Sequence, residues 1–433
     1  MRRLRLFATI VVAALDPTVA RAEPSVRSIT VEEAVDLAMA SNPRLLARQA
    51  NVRGARELEY SATGRMLPSV HVSDEYQHYN SDFSIAFGGE NFSVRRQDIN
   101  TLAVSADQPL MGLFHLSHEQ AAQARAADAT EAELATARAD VKERVEVGYL
   151  HLFEAKALED IAQSSEEQLA EQVHVTLARV NAGVLTNADL LRVQVAVANA
   201  KQQEILAHTQ GLVAQAGLLA TLGLPMDGQG IEFVEPKSLL ARASAALPAL
   251  SDAQREATRA RPELKQLRLQ VESLDHTRRA RMLSLLPDVD AEAAYNHLDG
   301  QILAPTNAVF VGLKVNWNVW EWGASWHAQK AAAEQTTVLQ HDLEDQGRQI
   351  GLQVATDLAE ARAATSAVDV AREAIASAEE AYRVTEALLK AGSATTTDLL
   401  DAQSALTQAR LNLTRAQYEQ AIAQVAIARS LGQ

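Results

Sequence analysis

The chain has 433 residues, of which 47% are hydrophobic and only 4% aromatic, and its formal net charge is −15 at pH 7. This length allows two or three domains with an ample core, and the abundance of alanine favours closely packed helices over a bulky interior. The acidic balance without a basic patch argues against nucleic acid as a partner, and the absence of cysteine excludes disulfides and thiol chemistry.

The N-terminus has the pattern of a secretory signal peptide. Three arginines among the first five residues precede an apolar run over 6–15, and Ala20-Arg21-Ala22 has the small-x-small form that a signal peptidase accepts. We expect removal of residues 1–22, which leaves Glu23 first and therefore no lipoprotein anchor. No later run of 18 or more apolar residues occurs, which predicts no ordinary transmembrane helix and leaves a β-barrel as the route into a membrane.

Most of the mature chain is predicted to be helical. Two stretches, roughly 113–182 and 325–391, contain no proline and almost no glycine, so a rise of ~1.5 Å per residue gives rods of roughly 100 Å. Apolar residues every seventh position in the second rod predict a coiled-coil seam. Shorter helical stretches are predicted at roughly 31–65, 187–221, 251–285 and 396–430.

Each rod is predicted to end in a sharp hairpin tip, at about 180–189 and 389–398. A glycine ends the rod, and a Thr-x-x-Asp sequence, whose hydroxyl and carboxylate satisfy free amides, opens the next helix. The tip residues are Gly183, Thr186 and Asp189 in one copy and Gly392, Thr395 and Asp398 in the other.

These twin tips belong to a duplication of the whole mature chain. Pro43 and Pro68 each recur 219 residues later, as Pro262 and Pro287. Gly183 recurs 209 residues later, so the first copy has about ten extra residues between Pro68 and the rod. We therefore predict a first repeat over 23–223, a linker or equatorial region over 224–249 and a second repeat over 250–433.

A strand pair is predicted in each repeat, between the short helix and the rod. The second pair alternates apolar and polar residues over about 288–298 and 308–319, a length that crosses a bilayer at a tilt. The first pair, at about 69–79 and 98–110, alternates less cleanly, and the extra residues are assigned to the loop 80–97.

Four such strands make a sheet with two open edges. Lipid offers no hydrogen-bonding partners for the unpaired backbone amides and carbonyls at these edges. Two chains would close eight strands around a filled interior, whereas three would close twelve around a pore. Three copies suit polar positions such as Asp288, Asp290 and Glu292, which we expect to face the lumen.

The duplicated order of helix, strand pair, rod, tip and helix, with tips of the form A-G-x-x-T-x-x-D-L-L, resembles the TolC-type outer-membrane efflux channel family over essentially the whole mature chain. The resemblance implies an α+β membrane protein, a homotrimer with a twelve-stranded barrel in the outer membrane of a Gram-negative cell and a helical tunnel through the periplasm. It also implies tips that meet a periplasmic adaptor coupled to an inner-membrane pump of the RND or ABC type, with no cofactor. The exported substrate stays open, since drugs, metal ions and proteins leave through such ducts.

Acidic residues beyond the tips are candidates for a periplasmic constriction. Asp398 and Asp401 would form two stacked carboxylate rings in a trimer, a role that the resemblance also implies, and Asp189 is the first-repeat equivalent of Asp398. The alternative is that Asp398 only completes a helix start and Asp401 is solvated. Family members latch the closed tip with Arg or Tyr where this chain has Ala394 and Leu389, so closure is expected to depend on packing or on Lys390 and Arg192.

The tip segments match those that meet the adaptor in this family. They are Gly183, Val184, Leu185 and Thr186, and Gly392, Ser393, Ala394 and Thr395. The alternative is ordinary turn chemistry, which glycine serves without any partner.

Aromatic residues and histidines give weaker signals. Trp317, Trp320 and Trp322 cluster where the last strand ends, which favours an aromatic belt at the membrane interface over plain packing. His115 and His118 have a spacing that allows two imidazoles on one metal, but without a third ligand we predict no metal site.

No enzyme motif is present, so we predict that the protein is not an enzyme. A periplasmic coiled-coil adaptor without a membrane span is the alternative function, and the duplicated strand pairs argue against it. An exported enzyme on a helical scaffold has no supporting chemistry.

Overall fold

The computed structural model describes residues 27–226, 228 and 230–433, and the signal peptide predicted over 1–22 lies outside them. Elements of the first half are β1 (Arg27–Ile29), α1 (Val31–Ser41), α2 (Pro43–Gly64), β2 (Ser69–His78), β3 (Phe83–Phe87), β4 (Glu90–Pro109), α3 (Gly112–Asn181) and α4 (Asn187–Leu222). Those of the second half are β5 (Ile231–Phe233), α5 (Lys237–Arg242), α6 (Leu250–Ala260), α7 (Pro262–Leu283), β6 (Asp288–Gln301), β7 (Asn307–Asn316), α8 (Ala324–Lys390) and α9 (Thr396–Leu431).

Prolines divide two of the predicted short helices. The helix expected over 31–65 is α1 and α2, and the one expected over 251–285 is α6 and α7. The residue before each proline is extended, Asn42 at φ −63° and ψ 120° and Arg261 at φ −64° and ψ 121°, because the proline ring disfavours helical backbone there. Each proline then occupies the first turn of the next helix, where its missing amide costs nothing.

The large sheet is antiparallel in the order β2-β4-β6-β7, with β3 paired to the outer part of β4. Two bounds differ from the sequence prediction. The strand expected over 98–110 begins at Glu90, so the expected loop 80–97 contains a β-hairpin that turns at Gly88 and Gly89, both with positive φ. The strand expected over 308–319 ends at Asn316, so the tryptophans follow it.

The two faces of this sheet differ in polarity. Cross-strand pairs such as Val72–Val104 and Ala293–Val311 lie on one face, and pairs such as Asp290–Lys314 lie on the other. The strands β2 and β7 are its two edges in the described chain. The apolar side chains of these edge strands are largely exposed, including Val72 at 68% and Val311 at 81%.

The core lies where β1 and β5, paired in parallel, pack against α3. Tyr149 of α3 is fully buried, and its hydroxyl lies 2.8 Å from the carbonyl oxygen of Val234. Burial raises the pKa of Tyr149 to about 12, so it serves as a neutral hydrogen-bonding group.

A buried ionic junction joins the two halves near the end of α9. Arg429 donates to Asp140 of α3 through Nε at 2.9 Å and to Glu263 of α7 through Nη2 at 2.6 Å. Arg261 approaches the same Glu263 at 3.1 Å. Burial alone would raise the pKa of Glu263, but the hydrogen bond from Arg429 and the two guanidinium charges lower it overall.

The sequence predicts no ordinary transmembrane helix, but α4 has the length and composition of one. Over residues 27–226, 228 and 230–433, it is the one helix that is long and apolar enough, by length and composition, to cross a membrane. Polar residues interrupt this helix, so no continuous apolar run marks it in the sequence. Because α4 packs along α3 and opens with a polar cap, we interpret it as one arm of a hairpin.

Candidate functional site at the hairpin tips

Both hairpin tips turn on a glycine in the left-handed region. Gly183 has φ +73° and Gly392 has φ +76°, values that a residue with a Cβ adopts only with strain. The amide of Val184 donates to the carbonyl of Arg179 at 2.9 Å, and that of Ser393 donates to Leu388 at 2.9 Å. These bonds satisfy carbonyls at the ends of α3 and α8.

The helix that leaves each tip begins with a capping box. The amide of Thr395 donates to Asp398 Oδ2 at 2.8 Å, and the amide of Asp398 donates to Thr395 Oγ1 at 3.2 Å. Thr186 and Asp189 make the same pair of bonds at 3.0 and 3.3 Å. The hydrogen bonds from Thr395 lower the pKa of Asp398, and those from Thr186 lower the pKa of Asp189, so both are anionic at neutral pH.

The three candidate constriction residues are therefore not equivalent. Asp398 and Asp189 each commit Oδ2 to the cap of their own helix. Asp401 lies one turn further along α9 and is exposed. Within one protomer Asp189 and Asp398 occupy separate tips, so a ring of these carboxylates requires further copies of the chain.

A side-chain bridge that the sequence analysis missed connects the two hairpins. Arg192 Nη1 donates to Thr397 Oγ1 of α9 at 3.2 Å and lies 3.6 Å from Asp189 Oδ1. Arg192 was one of two candidate latch residues, but its partner Thr397 was not predicted. The other candidate, Lys390, instead pairs with Glu386 of its own helix at 2.7 Å.

The candidate adaptor-contact residues form the exposed ends of the two hairpins. Val184 is the most accessible apolar side chain among them, with 70% of its surface exposed. The glycines, Ser393 and both threonines of these segments are also exposed, whereas Leu185 and Ala394 are half-buried.

The tryptophans lie at the other end of the rods, beside the sheet. The side chains of Trp317, Trp320 and Trp322 are all largely exposed. Trp320 and Trp322 meet edge to face with ring centroids 5.5 Å apart. Trp322 has φ +54°, so the chain between β7 and α8 turns through a backbone conformation that is unusual for an aromatic residue.

The two histidines singled out by spacing have different neighbours. His118 Nδ1 lies 3.1 Å from Nδ1 of His276 on α7, and His115 Nδ1 lies 3.7 Å from Asp288. In the described part of the chain, no group of three or more His, Cys, Asp or Glu residues is arranged to hold a metal ion.

Comparison with known proteins gives the class of this chain. A model of the outer membrane efflux protein family matches residues 34–224 and 253–433, so the chain belongs to that family. The outer membrane efflux protein BepC of Brucella suis biovar 1 (strain 1330) is 21% identical over 336 residues, which are 77% of this chain and 72% of BepC. The expected outer-membrane location and efflux function are thereby confirmed.

Solved structures show the same fold at low identity. The outer-membrane channel OprN is 18% identical with a TM-score of 0.78, over 93% of this chain and 89% of OprN. The outer membrane protein VceC of Vibrio cholerae is 15% identical with a TM-score of 0.80, over 93% of this chain and 96% of VceC. The predicted TolC-type α+β fold is confirmed, and the alternative of a periplasmic adaptor is not supported.

Proposed function

We propose that three copies of this chain close a twelve-stranded barrel and a helical tunnel, through which substrates of a tripartite efflux pump or a type I secretion system are passively exported. The observation that carries this proposal is the pair of open sheet edges, β2 and β7, whose apolar side chains are largely exposed. A lipid bilayer cannot satisfy edge amides and carbonyls, so the edges need partners of the same kind.

The tips form the periplasmic gate of this duct. Arg192 holds the two hairpins of one protomer together through Thr397. Asp401 projects from the exposed side of α9, where three copies would gather three carboxylates into a ring that attracts cations. Asp189 and Asp398 contribute negative charge, but their first role is to fix the helix starts.

The exposed tip segments are the surface for a periplasmic adaptor, which couples the duct to an inner-membrane pump of the RND or ABC type. Val184 is the most exposed apolar side chain of these segments, and it suits a small apolar contact with a partner. The energy for export comes from the pump, and the duct carries out no chemistry of its own.

Trp317, Trp320 and Trp322 fit a belt at the periplasmic membrane interface. They follow the last strand directly, and their rings are largely exposed on the protomer. An indole at this depth keeps its apolar ring in lipid and its N–H near water.

Outer-membrane fractions of cells that express the full chain test this function. We expect a trimer that resists mild detergent and dissociates on heating, and efflux that Val184→Asp reduces without loss of the trimer. Val184→Ile is the matched control, because it keeps the apolar surface. A monomer in the outer membrane, or full efflux with Val184→Asp, would contradict the assembly or the adaptor surface respectively.

A further inference from the structure

We propose that the duplicated chain specifies the residue pairing between protomers, with Glu75 of β2 opposite Lys314 of a neighbouring copy's β7. This inference rests on the proposed trimer and adds to it the register of the barrel seam and an ion pair between helices. The two repeats have equivalent elements. Contacts that join the first repeat to the second within one chain should therefore recur between the second repeat and the first repeat of the next copy.

The structure defines the duplication residue by residue. The bounds of α1 and α2 become those of α6 and α7 when 219 is added to each number. The bounds of α4 become those of α9 when 209 is added. The final residues of α3 and α8, Asn181 and Lys390, also differ by 209.

These two offsets reproduce an observed strand register. In the first half Ser69 of β2 pairs with Asp107 of β4. Adding 219 to the first number and 209 to the second gives Asp288 and Asn316, which are paired in β6 and β7. The duplication is therefore accurate to a single residue in the sheet.

The pairing of β4 with β6 has no second copy inside the described chain. It joins the first half to the second, so its equivalent joins β7 to β2 of the next protomer. In β4 and β6, Ser105 pairs with Ala294 and Val104 with Tyr295. The corresponding seam pairs are Lys314 with Glu75 and Leu313 with Tyr76.

The chemistry of these seam pairs supports the register. Lys314 and Glu75 carry opposite charges and stand on the polar face, whereas Leu313 and Tyr76 stand on the apolar face, where each is more than 60% exposed in the protomer. A slip of one residue in either direction would place Glu75 opposite an apolar side chain, Leu313 or Val315. A slip of two would remove the cross-strand charge pair, which stabilises neighbouring strands.

The helices give an independent indication of the same neighbour. Arg125 of α3 lies 3.1 Å from Glu272 of α7 within the chain. Their equivalents are Glu334 of α8 and Arg53 of α2, both exposed, with the charges exchanged. Placing α2 of the next copy on α8 brings these opposite charges together.

The exposure of equivalent apolar residues along the helices supports the same neighbour. Ala129 on α3 is 3% exposed, but its equivalent on α8, Val338, is 57% exposed. Ala421 of α9 is 1% exposed, but its equivalent on α4, Leu212, is 55% exposed. A neighbouring copy would cover both exposed apolar positions in the way that the chain covers their counterparts.

Disulfide cross-linking tests the register, and the absence of cysteine from the sequence removes any background. Two double variants place cysteines at predicted seam pairs, Gln77→Cys with Gly312→Cys and Tyr76→Cys with Leu313→Cys. A matched control, Gln77→Cys with Asn316→Cys, moves one cysteine four residues along the same face, roughly 13 Å away and beyond disulfide reach. We expect both seam pairs, but not the control, to give covalent trimers on oxidation.

The outcomes separate the register from the assembly. Trimers that cross-link only in the control variant, or in none of the three, would overturn the register and leave the trimer intact. A cysteine-free parent that is monomeric in the outer membrane would overturn both.

Charge reversal tests the helix pair without any cross-link. Arg53→Glu or Glu334→Arg alone should lower the temperature at which the trimer dissociates, and the two together should restore it. Arg53→Glu with Glu344→Arg is the control, because it keeps the net charge but not the pair. Equal dissociation temperatures for the restoring and control pairs would overturn the ion pair.

Discussion

Arg192 of α4 donates a hydrogen bond to Thr397 of α9 at 3.2 Å, and this bond joins the two hairpins of one protomer at their tips. The 209-residue offset carries Arg192 to Asp401 and Thr397 back to Ala188. The same position is thus a cation in the first repeat and an anion in the second. In the proposed trimer, six hairpins would form a ring. Contacts between hairpins of one protomer, which have the Arg192–Thr397 bond, would alternate with contacts between protomers, which lack it.

Loss of the Arg192 bridge should loosen the proposed gate. We expect Arg192→Gln and Thr397→Val each to raise single-channel conductance in planar bilayers, and the double variant to resemble either single one, because one hydrogen bond is lost in every case. Arg179→Gln, at the end of α3, is the control. Conductance that remains at the parent value in both single variants would show that the bridge does not restrict the pore.

The charge of Asp401 should control cation block. Asp401→Asn removes the charge while leaving both capping boxes intact, so block by multivalent cations should weaken on the order of tenfold if three carboxylates surround the ion. Asp398→Asn removes charge as well but also weakens a helix start, so its effect should include reduced tip stability. Unchanged block in the combined Asp398→Asn and Asp401→Asn variant would exclude these residues from the constriction.

The contact between His118 and His276 should make the α3–α7 packing sensitive to acid. Burial lowers the pKa of His276 below 6.5, with contributions from His118, Arg279 and Arg125 that outweigh Asp275. Because the pKa of His276 is lower in the folded protein than in the unfolded chain, protonation favours unfolding. The contribution of His276 to the free energy of unfolding is therefore fully present above pH 6.5 and is lost as the pH falls through the folded-state pKa.

His276→Gln should therefore reduce the fall in melting temperature between pH 7.5 and pH 5, by an amount on the order of 2 °C. His341→Gln, at an exposed position on α8, is the control. An identical pH response in the parent and in His276→Gln would contradict this origin.

The buried junction at Arg429 should be costly to break. Arg429→Gln leaves the buried Glu263 with Arg261 as its one remaining cationic partner, and removal of one member of a buried ion pair costs about 3 kcal/mol or more. Loss of helical circular dichroism during denaturant unfolding measures this effect, with the exposed Arg362→Gln as the control. A loss below about 1 kcal/mol would mean that Arg261 compensates for the missing charge.

Much of this fold was predictable because the duplication presents each element twice. The ends of α3 and α8 lie within one residue of the predicted rods, since glycine and the Thr-x-x-Asp caps are strong local signals. The breaks at Pro43 and Pro262 were missed because helical periodicity continues across them. The hairpin of β3 with β4 was missed because its short strands flank a Gly-Gly turn inside what resembled a loop.

The site was less predictable than the fold. Capping boxes depend on residues three apart, so the sequence located them, whereas Arg192 and Thr397 are 205 residues apart and meet only through helix packing. The offset between Arg192 and Asp401 was a usable signal. The equivalents of Arg192 and Thr397 are Asp401 and Ala188, which cannot form the same hydrogen bond, so the sequence indicates that this contact is made only once per chain.

The duplication also has a genetic consequence. In a ring of six identical subunits, any substitution would change all six contacts between neighbouring hairpins at once. In a trimer of this chain, a change at Arg192 alters three seams and a change at Asp401 alters the other three. Selection can therefore tune how firmly the tips hold together at one kind of seam while the other stays constant.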